Sequence, residues 1–284
     1  MTTKSPGSPA QVSTAGALFA FFGSSYFRST AWRSTRSIFR NFFFLEYKAA
    51  LLKRYPVSQV DHPLDEKIPF KPEKVDVYAE FLTFFARAMA FLVRRFGHQV
   101  REDVKSALAS LGAIYEKAAE VYARNFSTTK RPRYLRRFKF LVIHAFDPHL
   151  MCIPSLHVMV VIRAYTYFRA ILSKLGEDGA FAAEIEELYR GALAITEAVL
   201  YIKQHSVNCI SAAMYAMSRF DNSFHPEEAE FFARDLFKNA DDISYEDAEA
   251  IQNHIIYLYR RFFDQKTSAW EEPLLDFLLT NRRS

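Results

Sequence analysis

The sequence predicts an all-α fold, and three observations lead to that prediction. Few segments alternate polar and apolar residues with the period of two that a half-buried strand requires. Apolar residues instead recur at helical spacing over several long segments. Half of the 284 residues are hydrophobic, and 28 phenylalanines stand against 8 glycines, which favours a packed, helix-rich chain over a disordered or repetitive one.

Three segments of different composition precede the main helical region. Residues 1–14 are small and polar, and we expect a flexible tail there. Residues 15–54 combine many phenylalanines with arginines and form a basic, aromatic, amphipathic segment. Residues 55–72 hold four prolines and are interpreted as a connector.

A single helical domain is predicted over residues 73–284. Its first half is predicted to contain helices over 73–97 and 100–125, a loop with one short helix over 126–153, and a helix from Ser155 to about Leu175 that Gly176 ends. Its second half is predicted to contain helices over about 180–219, 227–239 and 244–263, and a short last helix after Pro273.

Two interpretations of residues 15–54 stay open. Arg33, Arg36 and Arg40 share one helical face, as in a basic amphipathic helix that lies on an anionic membrane surface. The same pattern arises where a first helix packs its phenylalanines onto the domain and leaves its arginines in water. An anionic membrane surface is therefore a candidate partner of this segment.

The charge distribution limits the classes of partner. The formal net charge is +5, and residues 1–54 alone hold eight basic residues and one acidic residue. The rest of the chain is nearly balanced, so binding of nucleic acid by a general basic surface is not indicated. No segment offers about 18 apolar residues free of charge, and two cysteines are too few for a disulfide framework. We therefore expect a cytoplasmic protein that is at most peripheral at a membrane.

Three short stretches carry residues suited to binding a phosphoryl group. RNFSTTKRP (124–132) follows a predicted helix, PSLH (154–157) begins the next one, and KQHSVNC (203–209) lies in the middle of the helix after that. The first turn of a helix has free N–H groups and the positive end of the helix dipole, which bind anions. His157 lies in such a turn, and a histidine is costly to bury without a partner, so this stretch is a candidate binding site for an anion such as phosphate.

In this order the three stretches resemble the type 2 phosphatidic acid phosphatase (PAP2) superfamily, which includes lipid phosphate phosphatases and vanadium haloperoxidases. The family pattern runs Lys-x6-Arg-Pro, then Pro-Ser-x-His, then Ser-Arg-x5-His-x3-Asp. PSLH followed by KQH is most similar to the inositol-phosphorylceramide-synthase-like branch. The resemblance covers residues 124–209 and implies a helical bundle of the PAP2/haloperoxidase type that works without a metal or another cofactor.

The resemblance also implies a role for each matching residue. His205 would attack phosphorus and form a phosphohistidine, and His157 would protonate the leaving alkoxide. Arg131 would hold the phosphoryl oxygens together with Ser155 and with Arg124, which stands where the family has lysine.

The third stretch departs from the family pattern. Ala198 and Val199 replace its Ser-Arg, and Cys209 replaces its aspartate. That aspartate orients the nucleophilic imidazole, and a buried thiol, which resists ionisation, is a poor substitute one helical turn after His205. Lys203 is the candidate replacement for the missing cation.

Two functions are consistent with these residues. The first is a PAP2-like phosphatase or phosphotransferase that acts on a lipid or another amphiphilic phosphomonoester through a phosphohistidine. The second is a catalytically silent PAP2-like protein that binds a phosphate group or a protein partner. The intact pair His157 and His205 favours the first, whereas Val199 and Cys209 favour the second.

Other chemistries fit the sequence less well. His144, Asp147, His149 and His157 are suitable metal ligands, but the intervening prolines make their spacing irregular. Neither cysteine is followed by the arginine that a cysteine phosphatase requires, and the chain has no glycine-rich phosphate loop.

Overall fold

The computed structural model describes residues 7–52, 55–265 and 267–282, without the side chain of Leu82. Within these ranges the chain is mostly helical with two three-residue strands, so the all-α prediction is confirmed. The elements are α1 (Thr14–Leu18), α2 (Arg28–Ile38), α3 (Leu45–Leu52), β1 (Val57–Gln59), α4 (Val75–Ala79), α5 (Phe81–Phe96), α6 (Arg101–Tyr122), β2 (Phe126–Thr128), α7 (Phe138–Phe146), α8 (Leu156–Leu175), α9 (Ala182–Tyr201), α10 (Val207–Phe220), α11 (Pro226–Asp235), α12 (Tyr245–Asp264) and α13 (Glu272–Thr280). Shorter turns are π-helical at Phe19–Gly23 and Phe39–Phe44 and 3₁₀ at Pro9–Gln11, Pro63–Lys67, Pro72–Lys74 and Gly97–Val100.

Helix α8 is the centre of the fold. It packs against α5, α6, α9 and α10, and nearly every residue between Leu156 and Phe168 is buried. Arg163 interrupts this apolar surface, and its guanidinium lies 3.2 Å from the carboxylate of Asp221, so the buried charge is paired. The helix ends, as predicted, at Gly176, which adopts the left-handed φ of 71° that favours glycine.

The N-terminal helices pack closely on the rest of the fold. Helix α2 continues into α3 through a π-helical turn, and it lies along α6. Small side chains make this approach possible: Ser34 Oγ donates to the Leu108 carbonyl over 2.6 Å, and Ser37 Oγ donates to the Gly112 carbonyl over 3.0 Å. Residues 15–52 therefore belong to the folded core.

The packing of residues 15–52 agrees with the interpretation of a first helix packed on the domain, and binding to a membrane stays a prediction. Phe21 and Phe27 are buried in the core, as expected of a packed first helix. The arginines of the predicted basic face are exposed, as are several aromatic side chains of the same segment. Residues 53–54 lie outside the described residues.

The segment predicted as a flexible tail, residues 1–14, is described only from residue 7. There it packs against α5 and α9 instead of extending from the fold. Val12 is buried, and the Ala10 N–H donates to the Glu187 carboxylate over 2.8 Å. Two buried residues, Pro9 and Val12, in a small, polar stretch are too weak a sequence signal to predict this packing.

Two parallel strands position the loop that precedes α8. Strand β1 lies in the predicted connector and pairs with β2, with Val57 opposite Phe126. In β2, Ser127 Oγ accepts hydrogen bonds from the N–H groups of Cys152 at 3.1 Å and Ile153 at 2.9 Å. The PSLH stretch is therefore held against the strand pair.

The prediction of one helix over 180–219 is wrong at residues 202–206. Helix α9 ends before them and α10 begins after them. Lys203 has a φ of 57°, which no α-helix tolerates, and Ser206 caps α10 by accepting a hydrogen bond from the Asn208 N–H. The apolar spacing continues across the break and therefore conceals it in the sequence.

The last three helices lie close to their predicted positions, with α12 packed on α10 and α11. Over the described ranges, no helix combines the length and the apolar character that crossing a bilayer requires.

We expect Gly112→Leu to destabilise the protein, because its side chain would collide with α2. A Cβ added at Gly112 would lie 3.1 Å from Ser34 Cα, closer than an ordinary contact. Overpacking of this kind costs about 1–3 kcal/mol of unfolding free energy, which urea denaturation measures. Gly179→Leu is the control, since the space at Gly179 is open. An equal loss of stability in both variants would contradict the close packing of α2 on α6.

Candidate functional site

Two histidines from distant parts of the chain meet at the candidate site. Nδ1 of His157 lies 3.0 Å from Nε2 of His205, although 48 positions separate the two residues. His157 occupies the first turn of α8, and His205 directly precedes the Ser206 cap of α10. The structure therefore brings together the histidines of the PSLH and KQH stretches.

A tyrosine that the sequence analysis did not identify extends this contact. Tyr78 Oη, in α4, lies 2.7 Å from His157 Nε2. Burial raises the pKa of Tyr78 well above its ordinary value, so the hydroxyl stays protonated. It therefore donates the hydrogen bond to His157. His157 then accepts at Nε2 and donates from Nδ1 to Nε2 of His205, which assigns a tautomer to His157. No motif marks Tyr78 in the sequence.

Both histidines are uncharged at neutral pH. Burial lowers the pKa of His205 to about 3, although the nearby Cys152 backbone favours the charged form. Burial also lowers the pKa of His157 well below its ordinary value, and the adjacent His205 lowers it further. An anion placed between the rings would reverse these shifts, because it favours the charged imidazolium.

Arg131 joins the site through hydrogen bonds to two residues. Its Nη1 donates to Asp147 Oδ2 over 3.3 Å and to Gln204 Oε1 over 3.2 Å, and its Nη2 donates to the Asp147 backbone carbonyl over 3.1 Å. Gln204 directly precedes His205 in the chain. Asp147 and Gln204 line the same small cavity as both histidines, so the guanidinium contacts the wall of the site, with its charge balanced by Asp147.

The N-terminal segment contributes a carboxyl group to the same place. Glu46 is 1% exposed, and its Oε1 accepts the Leu150 N–H over 2.9 Å. With both histidines it lines a small cavity of about 20 Å³. Burial and the neighbouring Asp147 raise the pKa of Glu46 to about 8, so it carries a proton at neutral pH. Glu46 is the one acidic residue among the first 54, which is a signal that could have found it in the sequence.

Ser155 lies at the N-cap of α8, two residues before His157. It is fully buried, and within the described part of the chain its Oγ has no hydrogen-bond partner and does not cap the helix. A buried polar group without a partner is destabilising by about 1–3 kcal/mol. A bound oxyanion within reach of this hydroxyl would remove that cost.

Arg124 and Lys203, which the sequence analysis expected to bind phosphate, do not join the histidines. The Arg124 side chain is 56% exposed and pairs with Glu271 over 3.2 Å. The Lys203 Nζ donates to the backbone carbonyls of Asp65, at 2.5 Å, and Ile68. Each cation has found a partner elsewhere, so neither is available to a phosphate at the histidine pair.

Cys209 does not lie where helical spacing predicted it. A shared face with His205 assumed one continuous helix, and the break at 202–206 removes that relation. Burial raises the pKa of the Cys209 thiol well above its usual range, so it stays neutral. No carboxylate forms a hydrogen bond with His205 in the ranges that the structure describes.

Three of the four residues considered for a metal site, Asp147, His149 and His157, have other partners. Thr129 Oγ1 lies 2.8 Å from His149 Nε2, and His157 contacts Tyr78 and His205. Among residues 7–52, 55–265 and 267–282, no group of three His, Cys, Asp or Glu side chains is arranged to hold a metal ion.

A large apolar cavity adjoins the histidine pair. Its volume is about 740 Å³, and its walls are mainly aromatic and aliphatic side chains of the N-terminal helices and of α4 to α8. His157 and Asp147 line both this cavity and the small one that contains His205. A ligand with its polar group at His157 could therefore extend an apolar tail into the larger space.

We expect Glu46→Gln to gain stability relative to the parent protein as the pH rises from 5 to 8. The folded state holds a proton on Glu46 up to a pKa of about 8, whereas the unfolded chain releases it near 4.5. Raising the pH through this window therefore destabilises the parent, and a glutamine has no proton to lose. Thermal unfolding of both proteins between pH 5 and 9 measures the difference. The exposed Glu249→Gln is the control, and parallel profiles of Glu46→Gln and parent would contradict a protonated Glu46.

Comparison with known proteins adds no relative to this description. No family model, curated protein or solved structure matches the chain. The function is therefore argued from the geometry of the site together with the motif resemblance.

Proposed function

We propose that this chain is a PAP2-like phosphatase or phosphotransferase that acts on an amphiphilic phosphomonoester of the lipid phosphate class. The 3.0 Å contact between His157 and His205 carries the proposal. The family mechanism needs these two side chains at one phosphate, and they lie far apart in the sequence. We also propose that the helical fold is a bundle of the PAP2/haloperoxidase type.

His205 is the proposed nucleophile. Its Nε2 attacks phosphorus and forms an N–P bond while the bond from phosphorus to the alkoxide oxygen breaks. His157, which takes up a proton from solvent when the anion binds, donates that proton to the leaving oxygen. Water then attacks the phosphohistidine, His157 accepts a proton from this water, and phosphate and neutral His205 are released. In a phosphotransferase an alcohol takes the place of the water.

The contact between the histidines has to open for this reaction. At 3.0 Å the rings leave no space for a phosphoryl group, and the small cavity beside them holds about one water molecule. The phosphate therefore separates the rings as it binds. Its charge raises the pKa of both histidines, and Arg131 with the N-terminus of α8 attracts its oxygens.

The apolar cavity is the reason for an amphiphilic substrate. A space of about 740 Å³ is far larger than a phosphate needs, and it lies in the size range of small-molecule sites. An alkyl chain buried there gains about 0.8 kcal/mol per methylene group. The phosphate at His157 and the tail in the cavity together account for both parts of the site.

A catalytically silent PAP2-like protein that binds a phosphate group or a protein partner is the second candidate. The observation that favours it is that no carboxylate forms a hydrogen bond with His205 within the described residues, while Cys209 replaces the family's aspartate. In a serine protease triad, loss of the orienting carboxylate lowers kcat by about 10⁴. The exposed position of Arg124 also removes one phosphate-binding group.

We expect the protein to release phosphate from dodecyl phosphate without added metal and to be inhibited by vanadate. His205→Ala should lower this rate by about 10³-fold or more, because the nucleophile is lost. His98→Ala is the control: this exposed histidine lies in the 3₁₀ turn between α5 and α6 and lines neither of the two cavities. Turnover that survives His205→Ala, or that requires a divalent metal, would rule out the mechanism.

Oxyanion binding separates the two candidate functions. In the free protein His205 should stay neutral down to about pH 4, since its pKa is about 3. Bound tungstate should raise that pKa toward neutrality, which the pH titration of the histidine NMR signals measures. A shift without any turnover would support the silent binder, and the absence of a shift would count against both functions.

A further inference from the structure

Part of the wall of the apolar cavity is open to solvent. Leu18, Phe138, Val142 and Phe146 line the cavity and are between 38% and 78% exposed. The cavity therefore reaches the surface at a rim of apolar side chains. Soluble proteins rarely leave large apolar groups clustered on the surface unless the cluster binds something.

Helix α7 forms one side of this rim. A surface helix normally turns its apolar residues inward, yet among the nine residues of α7 only Phe140 is buried. Phe138, Leu141 and Phe146 are exposed. The helix therefore presents apolar side chains on its outer surface as well as toward the cavity.

The N-terminal segment forms the other side of the rim. Tyr47 Oη donates to the Phe146 carbonyl over 3.0 Å and so joins α3 to α7. The Phe39 ring packs on Phe43, which lines the cavity, and Phe44 is exposed next to it. We use the name apolar rim for the exposed residues Leu18, Phe19, Phe39, Phe44, Phe138, Leu141, Val142 and Phe146.

Basic residues outnumber acidic residues around the apolar rim. The stretches 15–45 and 130–146 together contain ten lysines and arginines and no aspartate or glutamate. Arg137 and Lys139 pair with Asp76, which lies outside both stretches. Within these stretches, the exposed arginines Arg33, Arg36, Arg40, Arg133 and Arg136 have no ion pair among the described residues.

We propose that the apolar rim docks on a bilayer that contains anionic phospholipid, so that the cavity opens into the acyl-chain region. Exposed aromatic groups beside unpaired arginines are the two features that an anionic interface binds. A second copy of the chain fits less well, because two faces that each carry an excess of positive charge repel each other. The inference that the bilayer also supplies the substrate rests on the proposed function. The docking itself does not depend on that function.

Sedimentation with lipid vesicles tests the docking on the full chain. The parent should bind vesicles of phosphatidylcholine mixed with phosphatidylserine more tightly than vesicles of phosphatidylcholine alone, and added salt should weaken the binding. Phe44→Asp/Leu141→Asp should lower binding by at least about tenfold, since two apolar contacts become negative. The matched control is Phe231→Asp/Tyr257→Asp, which changes side chains of 57% and 61% exposure on α11 and α12.

A second pair of variants tests the electrostatic contribution to vesicle binding. Arg36→Glu/Arg40→Glu should lower binding to the phosphatidylserine vesicles by about 25-fold or more, because each basic residue at an anionic surface contributes about fivefold. Arg234→Glu/Arg261→Glu makes the same charge change on α11 and α12, where both arginines are exposed, and should leave binding close to that of the parent. Unchanged thermal unfolding shows that each variant is folded.

Two results would overturn the proposal. The first is a parent protein that does not sediment with the mixed vesicles, or rim variants that bind as well as their controls. The second is a parent oligomer that the rim variants convert to a monomer without any change in vesicle binding, which would assign the rim to a second copy. Vesicle binding needs no turnover. It can therefore fail while phosphate release succeeds, and phosphate release can fail while vesicle binding succeeds.

Discussion

The ammonium group of Lys203 holds the break between α9 and α10, and the position of His205 depends on that break. This group donates hydrogen bonds to the backbone carbonyls of Asp65 and Ile68. The backbone of Lys203 adopts a φ of 57° at the same point. The Asp65 carboxylate accepts the Val207 N–H over 2.9 Å, at the first residue of α10. A loop from the proline-rich connector thus separates two helices that apolar periodicity alone would join, and His205 is left facing α8.

The site around the histidines is nearly neutral in total charge without a bound anion. Arg131 faces Asp147, Glu46 keeps its proton, and His157 and His205 are uncharged. A buried charge is costly unless it is paired, so this arrangement is stable as it stands. Binding of a dianion changes that balance and draws protons into the pocket, because it favours the charged form of each imidazole. In the proposed function, affinity for a phosphate is therefore linked to proton uptake.

Local signals in the sequence predict most helices of this fold, because a helix depends largely on its own apolar face and caps, as Gly176 shows at the end of α8. The pairing of His157 with His205 is also predictable, through the order of the motifs. The break that Lys203 maintains is not predictable, since its two acceptors lie 135 and 138 positions away. Glu46 stands out in the sequence as the one acidic residue among the first 54, but its place at the site depends on tertiary contacts and is not predictable from that signal alone.

The groups that meet at the site come from distant parts of the chain: Glu46, Tyr78, Asp147, His157 and His205. Bringing such segments together requires loss of chain entropy before their contacts can form, so this assembly is slow compared with the formation of the individual helices. During synthesis most of the chain has to leave the ribosome before the pocket can exist. A partly folded chain can thus have nearly its full helix content and still lack the pocket, and the histidine contact reports the completion of folding.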